Sequence, residues 1–298
     1  MSVLHIGNRL LLAFAIPLFF CASEVPWVRC ERNLNLETMS LEELATIASD
    51  PSRNNDLRWQ STRELARRKD AWSIPILICL LQDDYQPVRG AAAWGLSQVG
   101  GEEAQNALLE YLRASVKSKT GPDLASATDA EKELPDKRAV DLLIRCLGDV
   151  GNPRYPFVRS YAAEALGKIG NPKASLPLAQ QLNIEIDYVN SRDFWYMEAI
   201  RTTKGAGATP ILVEYLERLV QKMAGQDLSH FTTNIGSEYR QTEHNFRMYK
   251  LTLAALEAVT GRKSLTGTRE DVAKDWKESW KREHGKHTPR RAPPARSD

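Results

Sequence analysis

The sequence predicts an all-α fold, an α-solenoid of stacked helical hairpins. Three observations carry this. The stretch "VRGAAAWGLSQVGGEEAQNALLEYL", Val88 to Leu112, returns seventy positions later as "VRSYAAEALGKIGNPKASLPLAQQL", Val158 to Leu182. Apolar residues in each copy recur three and four apart, the period of a helix with one buried face. Each copy is interrupted by glycine halfway along, where one helix ends and the chain reverses.

The two copies align residue by residue. Val88-Arg89 falls on Val158-Arg159, Ala92-Ala93 on Ala162-Ala163, Leu96 on Leu166 and Gly100 on Gly170. In the later copy Val158, Tyr161, Ala162, Ala165, Leu166 and Ile169 form one face of a first helix. Gly170 then suits a left-handed cap, and Pro172 suits the opening of a second helix, where its missing N–H would be unpaired anyway. Leu176, Leu178, Ala179 and Leu182 supply the second helix's face. The paired alanines fall mid-helix, where a neighbour crosses closely. One hairpin cannot bury both of its faces, so stacked hairpins share a continuous core.

Fainter copies flank these. A shift of 31 sets Leu57-Arg58 on Val88-Arg89 and Leu65 on Leu96; a shift of 34 sets Glu198-Ala199-Ile200 on Glu164-Ala165-Leu166. "YKLTLAALEAVTG", Tyr249 to Gly261, reads as a further first helix. Ser40 with Glu43 three residues on reads as a capping box opening a helix over Leu41, Leu44, Ala45 and Ala48. "KRAVDLLIRCLGD", Lys137 to Asp149, reads as a second helix whose first helix is displaced by a polar insertion over 117–136. A second polar insertion is expected at 224–245. "GAGATP", Gly205 to Pro210, follows a helix and not a strand, so it reads as an inter-helix turn and not a phosphate loop.

These residues resemble HEAT repeats, in the subtype written V-R-x-x-A-A-x-A-L-G-x-I-G with a proline- or alanine-led second helix. The copy at Val158 matches closely; the copy at Val88 departs at Gly95 and Ser97. The resemblance covers residues 40–262 and implies a HEAT/armadillo-like superhelix. The end, "LEAVTGRKSLTGTREDVAKDWKESWKREHG", resembles the closing segment of exported bacterial HEAT proteins. Residues 263–284 are therefore expected to form a C-terminal capping helix, with Trp276 and Trp280 on one face. The same subtype occurs in lyases that attach bilin pigments, an alternative that export disfavours.

The N-terminus reads as a separate object. His5 and Arg9 precede an uncharged apolar run, Leu10 to Phe20. The run is too short to span about 30 Å of hydrocarbon as a helix but suits a signal-peptide core. "CAS" follows, placing the cut between Ser23 and Glu24 and leaving 24–39 as a linker. The alternative is a lipoprotein anchored through Cys21. The mature chain would be exported, periplasmic or extracellular. It keeps Cys30, Cys79 and Cys146, an odd number, with Cys79 and Cys146 read as buried small hydrophobes inside apolar runs. The chain has a net charge of +2, but the body 24–280 sums to −3 while the tail 281–298 holds six basic residues against two acidic ones. With Pro289, Pro293 and Pro294, residues 285–298 read as a disordered basic tail able to touch anionic envelope surfaces.

Chemistry is sparse. The chain has five histidines, and His230, Glu238, Glu243 and His244 share the second insertion without a zinc-like spacing. Neither catalytic residues nor a metal or cofactor site are assigned. Exposed aromatics are the better signal. Trp94 stands about 130° from its helix's apolar face, where other units carry Arg63, Glu164 and Glu198. Trp94 and Arg63 are thus the candidate partner-binding residues. In "RDFWYMEA" at least two of Phe194, Trp195 and Tyr196 are expected to face the core. Arg63, Arg67 and Arg68 form a basic strip, yet an acidic body without interleaved aromatics does not suit nucleic acid. The expected function is a non-catalytic protein-protein interaction scaffold of the cell envelope, holding a protein or peptide. A structural envelope component tethered by its tail is the alternative.

Overall fold

The computed structural model describes residues 34–118, 121–148, 157–182, 192–224 and 237–284. The chain divides into two units, Met1–Asn35 and Leu36–Asp298, and the second holds every helix described here.

Thirteen α-helices lie among the described residues. They are α1 Leu41–Ser49, α2 Asn55–Arg68, α3 Ile74–Leu80, α4 Gln86–Val99, α5 Glu102–Ser118, α6 Gly121–Glu133, α7 Val140–Gly148, α8 Phe157–Ile169, α9 Ser175–Gln180, α10 Arg192–Thr203, α11 Thr209–Met223, α12 Ser237–Thr260 and α13 Arg269–His284. The long helices α2, α4, α6, α8, α10 and α12 form one row, each packed along the next. Helices α3, α5, α7, α9 and α11 form a second, looser row, and α13 packs on α11. The fold is therefore an all-helical solenoid, with one core running between the two rows. Leu65, Leu96, Leu166, Ile200 and Leu256 contribute from the first row, and Leu77, Leu108, Leu143, Leu178 and Leu212 from the second. Burying each such side chain stabilises the fold by roughly 1.5–3 kcal/mol.

The ends of the helices follow from local chemistry. At the start of α1 the Ser40 hydroxyl accepts from the Glu43 N–H at 3.2 Å, and Glu43 Oε2 accepts from the Ser40 N–H at 2.7 Å. Both satisfy N–H groups that the first turn leaves unpaired. Four of the turns that carry the chain from the first row to the second are built on a single 3-10 turn, three of them opened by a side chain that accepts from the N–H two residues on. Asp70 accepts from Trp72 at 2.8 Å, Asp136 from Arg138 at 2.8 Å and Asn171 from Lys173 at 3.0 Å. Gly205 holds the fourth such position without a side chain. Its N–H donates to Ser175 Oγ at 2.7 Å, and a Cβ there would stand 2.2 Å from the Pro172 carbonyl oxygen. The "GAGATP" turn is this contact, with Ala206–Ala208 forming the 3-10 turn.

The expected insertion at 117–136 is instead a full member of the stack. Helix α6 packs between α4 and α8, with Leu124, Ala127, Thr128, Ala130 and Glu131 buried. The spacing of seventy is two repeats of thirty-five. Ala127-Thr128 takes the place of Ala92-Ala93, and Glu131 that of Leu96 and Leu166. The second expected insertion, 224–245, is shorter than its bounds. Residues 225–236 lie outside the described residues, and α12 has begun by Ser237. Of the expected linker 24–39, residues 34–39 are described, and Leu36–Thr38 form one 3-10 turn. Arg68 grips that turn by donating to the carbonyls of Met39 at 2.6 Å and Leu36 at 2.9 Å.

Cys79, expected to be buried, is on the surface. Of the run Ile74–Leu80 only Ile74, Leu77 and Leu80 are buried, because α3 turns a single stripe inward; Cys79 is exposed. Cys146 is buried, and its burial pushes the thiol pKa up to about 12. Both thiols are free.

Candidate interaction surface

Polar ties link neighbouring helices within and between the rows. Arg58, almost fully buried, pairs with Asp83 and donates to the Ala48 carbonyl at 3.3 Å. One repeat later, Arg89 grips Asp123 on α6 with two prongs, Nε to Oδ1 at 2.8 Å and Nη2 to Oδ2 at 3.0 Å. The Tyr111 hydroxyl also donates to Asp123 Oδ1, at 2.9 Å. Further along, the Tyr215 hydroxyl donates to Asp193 Oδ2 at 3.1 Å. These charges are spent inside the stack, leaving the outer face of the first row to the residues between them.

That face carries aromatics on successive helices. On α2, the Arg63 guanidinium lies 5.0 Å over the Trp59 ring. Trp94 on α4 is 36% exposed. Trp94 and Arg63 thus occupy equivalent positions on neighbouring helices, both open to solvent. The supposed basic strip is largely neutralised: Arg67 and Arg68 both pair with Glu64, at 2.8 and 2.9 Å. Hydrogen bonding from Arg67 is the main influence holding the Glu64 carboxyl below its usual range.

This face also holds a concavity that no sequence motif marks. Between α8 and α10 lies a cleft of about 190 Å³ lined by Glu164, Gly167, Lys168, Trp195, Ala199 and Thr202, with Glu198 at its edge. Its floor is low because Gly167 has no side chain and Ala199 a short one; a Cβ on Gly167 would come within 3.1 Å of Ala199 Cα. Trp195 forms the wall, 41% exposed, its ring set edge-on to Phe194 at 5.5 Å. Phe194 is half-buried beneath the Arg247 guanidinium at 4.4 Å, and Tyr196 is buried. Two of the three aromatics do face inward, and the outward one lines the cleft. The charged rim is internally paired: Lys168 with Glu164 at 3.4 Å, Arg201 with Glu198 at 2.8 Å. Phe157, 62% exposed, stacks on Tyr161 one turn along α8 at 6.1 Å. A repeat alignment could have singled out Trp195, since the equivalent positions hold Ala91, Ser126 and Tyr161.

Glu243 and His244 lie on α12, while His230 is outside the described residues. Burial and the nearby Arg247 lower the His244 pKa. Among the described residues no group of three or more His, Cys, Asp or Glu could hold a metal ion, and no helix is long and apolar enough to cross a membrane. Cys21, Ser23, Glu24 and Cys30 also lie outside the described residues, as do residues 285–298.

The geometry defines a class, an α-helical repeat protein that presents side chains from a stacked scaffold. Residues 41–120 match the family model described as HEAT repeats, and residues 158–183 match the PBS lyase HEAT-like repeat. Over these stretches the chain carries HEAT repeats. No curated protein matches it. Among solved structures, it is similar to the crystal structure of an engineered protein from the Northeast Structural Genomics Consortium. The two share 18% identity over 73% of this chain and 98% of that one, with a TM-score of 0.42.

Proposed function

We propose that the chain is a non-catalytic interaction scaffold that holds a protein or peptide on the outer face of its first helix row. The supporting observation is the Trp195 cleft: an indole beside a floor of small residues, on a surface whose charges are otherwise paired with one another. An exposed indole over a low apolar floor supplies a large contact area at small entropic cost, which is how interface anchors work. Trp94 and Phe157, on α4 and α8, extend the same face. The apolar run Leu10 to Phe20, read as a signal-peptide core, supports an envelope location for the scaffold and its partner.

The test is selection of peptides from a displayed library against the full chain, followed by titration of the selected peptides. Trp195→Ala weakens binding at least tenfold, with the thermal melt unchanged, and Trp94→Ala weakens it less. Equal affinity for the wild type and both variants contradicts the proposal.

A further inference from the structure

Glu131 occupies the interior position that Leu65, Leu96, Leu166 and Ile200 occupy in the neighbouring repeats. It has no exposed surface. One carboxyl oxygen, Oε1, has no hydrogen-bond partner, and the other accepts a single long bond from the Asp136 N–H at 3.3 Å. A carboxylate so placed lacks the donors that a buried negative charge requires.

The surrounding charges do not make up the deficit. On α6 itself, Lys132 pairs with Asp129 at 2.9 Å and with Glu133 at 3.1 Å. Across the turn, Asp136 carries like charge, and Arg138 is bound to Asp136 in a fork of 2.5–3.0 Å contacts. On α8, Lys168 pairs with Glu164 and donates to the Lys132 carbonyl at 2.8 Å. The one charged side chain of α4, Arg89, is committed to Asp123. On α5, Glu102 acts on Arg138. On α7, Asp141 pairs with Lys173 at 2.6 Å, Arg145 is exposed and Cys146 is buried. Only Asp136 and Arg138 act on Glu131 by charge, and they oppose each other.

We infer that Glu131 makes α6 a proton-gated joint in the stack: protonated, it keeps α6 seated between α4 and α8, and its ionisation loosens α6 and the turn into α7. Burial supports this by pushing the carboxyl pKa up to about 8 from its ordinary 4.5. The folded state thus binds a proton, between those values, that the unfolded state has released. Stability is full below the unfolded pKa, falls as pH rises through the window, and levels off above the folded value. The steepest slope is about tenfold in the folded-to-unfolded ratio per pH unit.

The test is urea unfolding of the full chain from pH 5 to 9, for wild type, Glu131→Leu and Glu131→Gln. The native labelling rate of Cys146, resolved by peptide mapping, is measured alongside and divided by that of the Leu variant to remove the thiol's own titration. The wild type loses stability toward pH 8 while both variants stay flat relative to it, and the Cys146 ratio climbs over the same range. Should Glu131→Gln fail to fold, Glu131→Leu, which restores the residue of the neighbouring repeats, decides alone. Parallel pH profiles for wild type and variant, or a Cys146 ratio that does not change with pH, overturn the inference.

Discussion

Arg89 and Asp123 join consecutive first-row helices through a two-pronged ion pair that also collects the Tyr111 hydroxyl. Both side chains are largely withdrawn from solvent, at 20% and 13% exposure. Asp123→Ala leaves a guanidinium and a phenol without their acceptor. It should cost about 2–3 kcal/mol, more than any exposed pair on the surface. Urea unfolding measures this, with Lys173→Ala, which breaks an exposed pair to Asp141, as a control expected to cost under about 1 kcal/mol.

Gly205 is required by space. Its φ of −85° suits any residue, but a Cβ would meet the Pro172 carbonyl and Ser175 at once. Gly205→Ala forces the turns of neighbouring repeats apart and should destabilise the protein by about 1–3 kcal/mol, read as a lower thermal midpoint.

Lys69 and Lys204 hold the left-handed position after α2 and α10, with φ of 53° and 54°, where Gly170 stands after α8 with φ of 68°. A side chain at such an angle costs about 1–2 kcal/mol, partly offset by the extra freedom glycine has when unfolded. Lys204→Gly should therefore stabilise by about 0.5–1 kcal/mol, a rise in urea midpoint with an unchanged slope.

The two described thiols should separate sharply. Cys79 is open to solvent, whereas Cys146 is buried with its pKa pushed up to about 12. In the native protein at pH 7.5, a maleimide should modify Cys79 within minutes and Cys146 far more slowly, with denaturant bringing the two rates together, as peptide mapping would show.

The stack was legible where apolar residues occupy the inward positions. Leu96, Leu166 and Ile200 announce themselves, and with them the spacing of α4, α8 and α10. The repeat between them was hidden by Glu131, which sets a carboxylate where the pattern calls for leucine, and by Thr128 beside it. A polar segment thus read as an insertion although its backbone and packing are those of its neighbours. Cys79 was misread for the opposite reason: the unbroken apolar run Ile74–Leu81 carries no periodicity, so it cannot say which stripe of α3 faces in. The cleft at Trp195 was invisible because its floor is made by absent atoms on Gly167 and Ala199, which lie on different helices.

Native-state hydrogen exchange over residues 121–133 is the decisive measurement, since an unbroken row from α2 to α12 depends on α6. At pH 6 these amides should be protected as well as those of α4 and α8, with protection lost only when the whole stack unfolds. Exchange at the rate of an unstructured peptide, with α4 and α8 still protected, would show an insertion there and break the continuous row.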